Sequence, residues 1–106
     1  FRGVLDVRAK TITDEMCIAA ARELAACAEE KGITEDYIIP TMAEAEVFPR
    51  EAVAVAMKAQ EQGVARLKLS RQELHDRAEF MINRSRSLTA QMMKDGYIPD
   101  CSSVMQ

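Results

Sequence analysis

The chain has 106 residues and a net charge of −3; 48% of it is apolar, but it holds only five aromatic residues and no tryptophan. Sixteen of the apolar residues are alanine, and Ile, Leu, Val and Phe together number twenty-three, so the core is thin or is completed by further sequence or another chain. The acidic balance excludes a nucleic-acid binder built on a basic face with stacking aromatics, and no uncharged run approaches the roughly 18 apolar residues of a membrane-spanning helix.

Residues 1–10 place Phe1, Val4, Leu5 and Ala9 at the i, i+3, i+4 spacing of one helix face. The stretch starts on Phe1 and reads as mid-element sequence. It predicts the end of a helix that begins upstream, in a chain cut from something longer. Gly3 either weakens this helix or admits a second backbone at close range. The first complete helix is predicted over 14–31. Thr13 is its N-cap, Asp14 and Glu15 complement its positive end, Lys31 sits in its last turn, and Gly32 follows as the stop. Met16, Ala20, Leu24, Cys27 and Ala28 form its apolar stripe, and small residues cover much of the rest. Such a surface packs closely against flat neighbours.

Residues 33–41 form a connection, in which Tyr37, Ile38 and Ile39 are too apolar for a free loop and are expected to dock. A second helix is predicted over 49–62, with Pro49 at its first position and Gly63 as its stop. Val53, Met57 and Gln60 share one side, flanked by Ala52, Val55, Ala56 and Ala59. The third helix, 70–95, has the clearest signals. Ser70 and Glu73 make a capping box, and Leu69 and Leu74 a hydrophobic staple. Leu74, Ala78, Met81, Ser85, Leu88 and Met92 recur by four and three, and Gly96 ends the helix. At roughly 38 Å it is long for a small domain, so part of it should project or pack on another subunit. Residues 100–106 are expected to fray. The fold class expected is all-α, with about three main helices, the last one long.

The chemistry-bearing residues are sparse. No glycine-rich phosphate loop and no H-E-x-x-H are present. Ser70, Ser85, Ser87, Ser102 and Ser103 have only His75 as a possible base, and His75 reads as plain helix surface. Glu44 and Glu46 read as solvated, and Asp6 as a member of a buried ion pair near Arg2 and Arg8. Arg71, Arg77, Arg84 and Arg86 read as a polar face balanced by Glu73, Asp76 and Glu79, with a subunit contact as the functional alternative. Cys17, Cys27 and Cys101 are odd in number and lack metal-ligand spacing, so they are expected to be free, buried or half-buried thiols of a reducing, cytoplasmic compartment. The residues themselves point to no catalytic, cofactor-binding or metal-binding group.

The opening FRGVLDVRAKTITDEM nevertheless closely resembles a segment of malic enzymes of the prokaryotic type. There F-R-G-A-L-D-V-R-A precedes a T-x-I-(N/T)-x-E-M helix rich in Ala. Phe1, Arg2, Gly3, Leu5, Asp6, Val7, Arg8 and Ala9 match the first motif, with Val4 in place of Ala; Thr11, Ile12, Thr13, Glu15 and Met16 match the second. Asp36 to Thr41 is similar to the family's E-Y-I-I-P segment, and Ala52 to Ala65 to its helix before G-V-A. Residues 66–106 look more like the extended tail of larger malic enzymes.

The resemblance implies an enzyme that converts L-malate to pyruvate and carbon dioxide with NAD or NADP and with Mg²⁺ or Mn²⁺. It implies that 1–65 close a Rossmann-type α/β cofactor domain and that 66–106 form a helical extension. The family's catalytic Tyr and Lys, its metal-ligating carboxylates, its dinucleotide fingerprint and its substrate-binding Asn pair would all lie upstream of Phe1, so no site residue is carried over. The implied partners are the remainder of the chain and further copies of it, with no nucleic acid and no membrane. The alternative is a helical oligomerisation module without catalysis.

Overall fold

The computed structural model describes residues 1–104, and among them every regular element is a helix. The helices are α1 (Arg2–Asp6), α2 (Asp14–Lys31), α3 (Val47–Glu61), α4 (Arg71–Lys94) and α5 (Cys101–Val104). The all-α expectation with a long last main helix holds. Within the tail expected to fray, Cys101–Val104 form the single turn of α5; positions 105 and 106 lie outside the described residues.

The caps follow the side-chain chemistry. Thr13 Oγ1 accepts from the Met16 N–H at 3.2 Å and starts α2. The Ser70 hydroxyl accepts from the Glu73 N–H at 3.1 Å, and the Glu73 carboxylate accepts from the Ser70 N–H at 2.8 Å. That return bond holds the Glu73 carboxyl below its ordinary value. Helices α3 and α4 each end in a paired-carbonyl stop. The N–H groups of Gly63 and Val64 bond back to Gln60 and Ala59, and those of Gly96 and Tyr97 to Met93 and Met92. Gly63 (φ +71°) and Gly96 (φ +80°) take the left-handed backbone this motif requires.

α3 is the centre of the molecule, packed by α1, α2 and α4. It starts at Val47, two residues before the predicted boundary, so Pro49 occupies the third helical position. That position still lies among the first four N–H groups, which have no helical acceptor, and the proline costs no hydrogen bond there. Its alanines let three neighbours approach. Val53, Val55, Ala56 and Ala59 join Val7, Met16 and Leu74 in one buried cluster.

The tightest approach is α1 on α3. A Cβ added to Gly3 would stand 2.2 Å from the Ala52 carbonyl oxygen, so only glycine admits this crossing. After α1 the chain reverses through Arg8 at φ +50°. The Val7 carbonyl then accepts from Arg66 and Leu67, and Lys10 N–H donates to Val64. The Gln60 side-chain amide closes the loop before α4, donating to the Leu69 carbonyl at 3.1 Å and accepting from the Leu69 N–H at 2.8 Å. This explains a polar residue on the inner side of α3.

One expectation fails and another holds. Ile38 and Ile39 do not dock: they remain 65% and 62% exposed, because no element of this chain reaches that side of the connection. Part of α4 projects, as its length led one to expect, and its stripe is buried only at its start. Leu74 and Ala78 are enclosed and Met81 is half-buried, but Ser85, Leu88 and Met92 stand in solvent because the helix overruns α3.

Candidate functional site

An apolar cleft lies where α1, α2 and α3 meet. It has a volume of about 400 Å³ and a largely apolar lining that includes Phe1, Val4, Ile12, Met16, Phe48 and Val55. Its charged rim is Arg2 and Glu51, and Cys17 also borders it. Arg2 is oriented from behind: its Nε and Nη2 donate to Asp6 Oδ1 at 3.0 and 2.7 Å. Asp6 is 4% exposed, so the expected buried ion pair is present, with Arg2 as the partner and Arg8 exposed. Arg77 donates to the Asp6 backbone carbonyl at 3.3 Å. Asp6 Oδ2 is buried with no hydrogen-bond partner among the described residues. A buried carboxylate oxygen left so is costly, and it is the kind of atom that further protein or an ordered water completes.

The cleft can seat apolar side chains beside one guanidinium. It holds no pair of acid and base within reach of each other and no nucleophile beside a histidine. Cys17, Cys27 and Cys101 are free thiols, as expected, but only Cys27 is buried; Cys17 and Cys101 are exposed. Burial pushes the Cys27 thiol up from its ordinary value, away from the reactive thiolate.

Charged side chains elsewhere brace the helices. Arg50 on α3 donates from Nη1 and Nη2 to both Glu30 oxygens at 2.7 and 2.9 Å, and from Nε to Glu23 at 2.9 Å. This fork ties α3 to α2 and holds the Glu30 carboxyl below its usual range. Glu46 is exposed, as expected, but Glu44 is half-buried at the centre of a clamp. Lys31 Nζ pairs with Glu44 and lies 2.7 Å from Glu46, while Tyr37 Oη donates to Glu44 at 2.7 Å and the Thr41 N–H at 2.5 Å. Lys31 foremost, then the Thr41 N–H and the Tyr37 hydroxyl, hold the Glu44 carboxyl down to about 2. The signal was present in sequence as a lysine at a helix end facing two glutamates across a connection, but separations of 13 and 15 residues hid the pairing.

His75, Asp76 and Glu79 were also passed over as a group. Their ligand atoms lie within 4.8 Å of one another, from the i, i+4 spacing of His75 and Glu79 with Asp76 alongside. Asp76 and Glu79 are exposed and His75 is half-buried, no fourth ligand joins them among the described residues, and the trio lies on a different element from the cleft. Arg71, Arg77, Arg84 and Arg86 are exposed on the same helix, and among the described residues none forms an ion pair. The balancing acids are therefore neighbours in sequence but not partners. Among the described residues, no helix is long and apolar enough to cross a membrane.

No protein-family model matches this sequence. It is 43% identical over 77 residues to the bifunctional malic/malolactic enzyme of Bacillus subtilis (strain 168), which covers 73% of this chain and 19% of that protein. It is 44% identical over 66 residues to the NAD-dependent malic enzyme of Geobacillus stearothermophilus, covering 62% and 14%. The crystal structure of Entamoeba histolytica malic enzyme matches with a TM-score of 0.90 and 46% identity, over 93% of this chain and 21% of that one. That coverage carries the likeness well past residue 65. The chain spans about a fifth or less of the length of these relatives.

Proposed function

We infer that this chain, a malic-enzyme segment in both sequence and fold, is the closing part of the cofactor-binding domain of an NAD(P)-dependent malic enzyme. The parent oxidatively decarboxylates L-malate to pyruvate and carbon dioxide. Residues 1–65 complete its Rossmann-type domain, and residues 66–106 extend it as a helical tail. One observation carries the reading: 46% identity and a TM-score of 0.90 to a malic enzyme across 93% of the chain. The incomplete core supports it, since the buried Asp6 oxygen lacks a partner and Phe1, Leu5, Ile38, Ile39 and Met42 are exposed.

This chain's contribution is structural. Its Ala-rich helices bury against the rest of the domain, and the Arg2–Asp6 pair fixes the guanidinium at the edge of the cleft. A divalent metal in the parent supplies the Lewis acid for decarboxylation. The residues here do not fit that role: the His75, Asp76 and Glu79 trio is open to water. Neither does a glycine-rich loop open any of these helices, so the dinucleotide, like the metal and the catalytic acid and base, is held by the remainder of the parent. Three free thiols fit a cytoplasmic enzyme.

The test is malate-dependent reduction of NAD or NADP. The full-length parent turns over, the isolated 106-residue chain does not, and a parent truncated before Phe1 regains activity when the chain is supplied in trans. Turnover by the isolated chain, or none by the parent, would overturn the reading.

A further inference from the structure

The apolar cleft between α1, α2 and α3 stands open, although its lining suits an interior. Val4, Ala20 and Phe48 are only half-buried, Ile12 keeps 46% of its surface in water, and Phe1 at the mouth is exposed. The volume of about 400 Å³ exceeds the roughly 150 Å³ that accepts one benzene ring. The guanidinium on the rim, that of Arg2, is engaged by Asp6 at 2.7 Å, so the cleft suits apolar side chains and not an ion.

The cleft sits at the start of α1. Phe1 precedes that helix without a side-chain cap, so the N–H groups of Arg2, Gly3 and Val4 have no acceptor within it, and Gly3 is buried. Buried N–H groups are nearly always bonded. A further turn of helix ahead of Arg2 supplies the three carbonyls. It also sets the register, because residues four apart share a helix face. The residue immediately before Phe1 then stands one turn ahead of Val4, and the residue before that one turn ahead of Gly3. Val4 and Gly3 both line the cleft. The tight crossing of Gly3 on Ala52 fixes the direction in which the added turn runs.

We propose that the cleft is the seat of the segment immediately upstream of Phe1, which continues α1 as helix and lays the apolar side chains of the two residues before Phe1 into it. This rests on the reading given above, in which the chain closes a longer protein; it spans about a fifth or less of the length of its relatives. Such a segment arrives covalently at the edge of the cleft, at an effective concentration that a free partner does not match.

Alkylation of Cys17, which borders the cleft and is exposed in this chain, tests this in the full-length parent, with labelled peptides read by mass spectrometry. Cys17 of the folded parent reacts about tenfold more slowly than in denaturant. Alanine at both positions before Phe1 keeps the helix, empties the cleft and restores fast labelling. Ala20→Phe added to that variant refills the cleft and slows labelling again. Alanine at the third position before Phe1, one turn ahead of Arg2 on the rim, leaves the rate unchanged. Thermal melts check that each variant is folded. Fast labelling of the folded natural parent would overturn the proposal. So would protection that survives alanine at both positions, since another segment, a second copy or a bound molecule would then cover the cleft. Charged residues or glycines at both positions in the parent would overturn it at once. Malate-dependent reduction of NAD or NADP, assayed on the same samples, reports on the functional reading alone: an inactive parent whose Cys17 is protected in this way refutes that reading and upholds the occupied cleft.

Discussion

The two halves of α4 share a composition and a periodicity, yet they meet different fates. In the first half Leu74 and Ala78 are enclosed, held against α3 and close to the chain reversal after α1. In the second half Leu88 is 62% exposed and Met92 and Met93 lie in solvent. The difference lies in what stands opposite. α3 ends at Glu61 and turns away through Gly63, so among the described residues no other main helix packs on α4 beyond Ile82. A stripe of apolar residues thus specifies a face that can be buried, and its burial depends on a second surface of matching length.

The sharpest way to break this contrast is to shorten the same residue type at both ends. Leu74→Ala should destabilise by about 3 kcal/mol, the cost of lost burial and a cavity. Leu88→Ala, by the same change on the same helix, should stay within about 0.5 kcal/mol in the isolated chain. Chemical denaturation of both variants measures the pair, and equal losses would refute the contrast.

Gly3 probes the enclosed side by sign. In an uncrowded helix Gly→Ala gains about 1 kcal/mol. With the Ala52 oxygen only 2.2 Å from the new Cβ, Gly3→Ala should instead lose about 2 kcal/mol. A stabilised variant would mean that α1 can swing away from α3.

The start of α4 offers a smaller and more local effect. Ser70→Ala removes the acceptor for the Glu73 N–H and should cost about 1 kcal/mol. Because that end is anchored on the core, the loss should appear in the global melt. If only the distal half frayed, the two halves would be less coupled than their shared helix requires.

The smallest effect is electrostatic. The folded Glu44 carboxyl titrates near 2, below its ordinary value of about 4.5, so the unfolded form binds protons first as pH falls. The clamp's contribution is therefore complete above about 4.5 and is lost progressively toward 2. Amide exchange over residues 37–46 should accelerate through that window, and Glu44→Gln should remove the dependence. An unchanged pH profile in the variant would mean that Lys31 and Tyr37 are not held by Glu44.

Much of this architecture was legible in local chemistry. Thr13, Ser70 with Glu73, Gly32, Gly63 and Gly96 bound their helices where hydrogen-bonding and left-handed backbone demand it. For Gly3 a close approach was one of two readings, and the Ala52 backbone it meets was not legible. The braces between elements were not legible. Arg50 reaches Glu30 across 20 residues and Lys31 reaches Glu44 across 13, and periodicity carries no information at that range. The buried Asp6 was readable as an ion-pair member because Arg2 lies one turn before it, but its orphaned second oxygen was not.

Sequence alone determined the ends of α2 and α4 and which faces are apolar, because caps, stops and stripes are set by residues within a turn or two of one another. It also carried the malic-enzyme likeness, which lies in short ordered motifs. Only the tertiary structure decided which apolar faces find a partner, which glutamates are clamped, and that the distal part of α4 is left open, because these depend on surfaces brought together from distant parts of the chain.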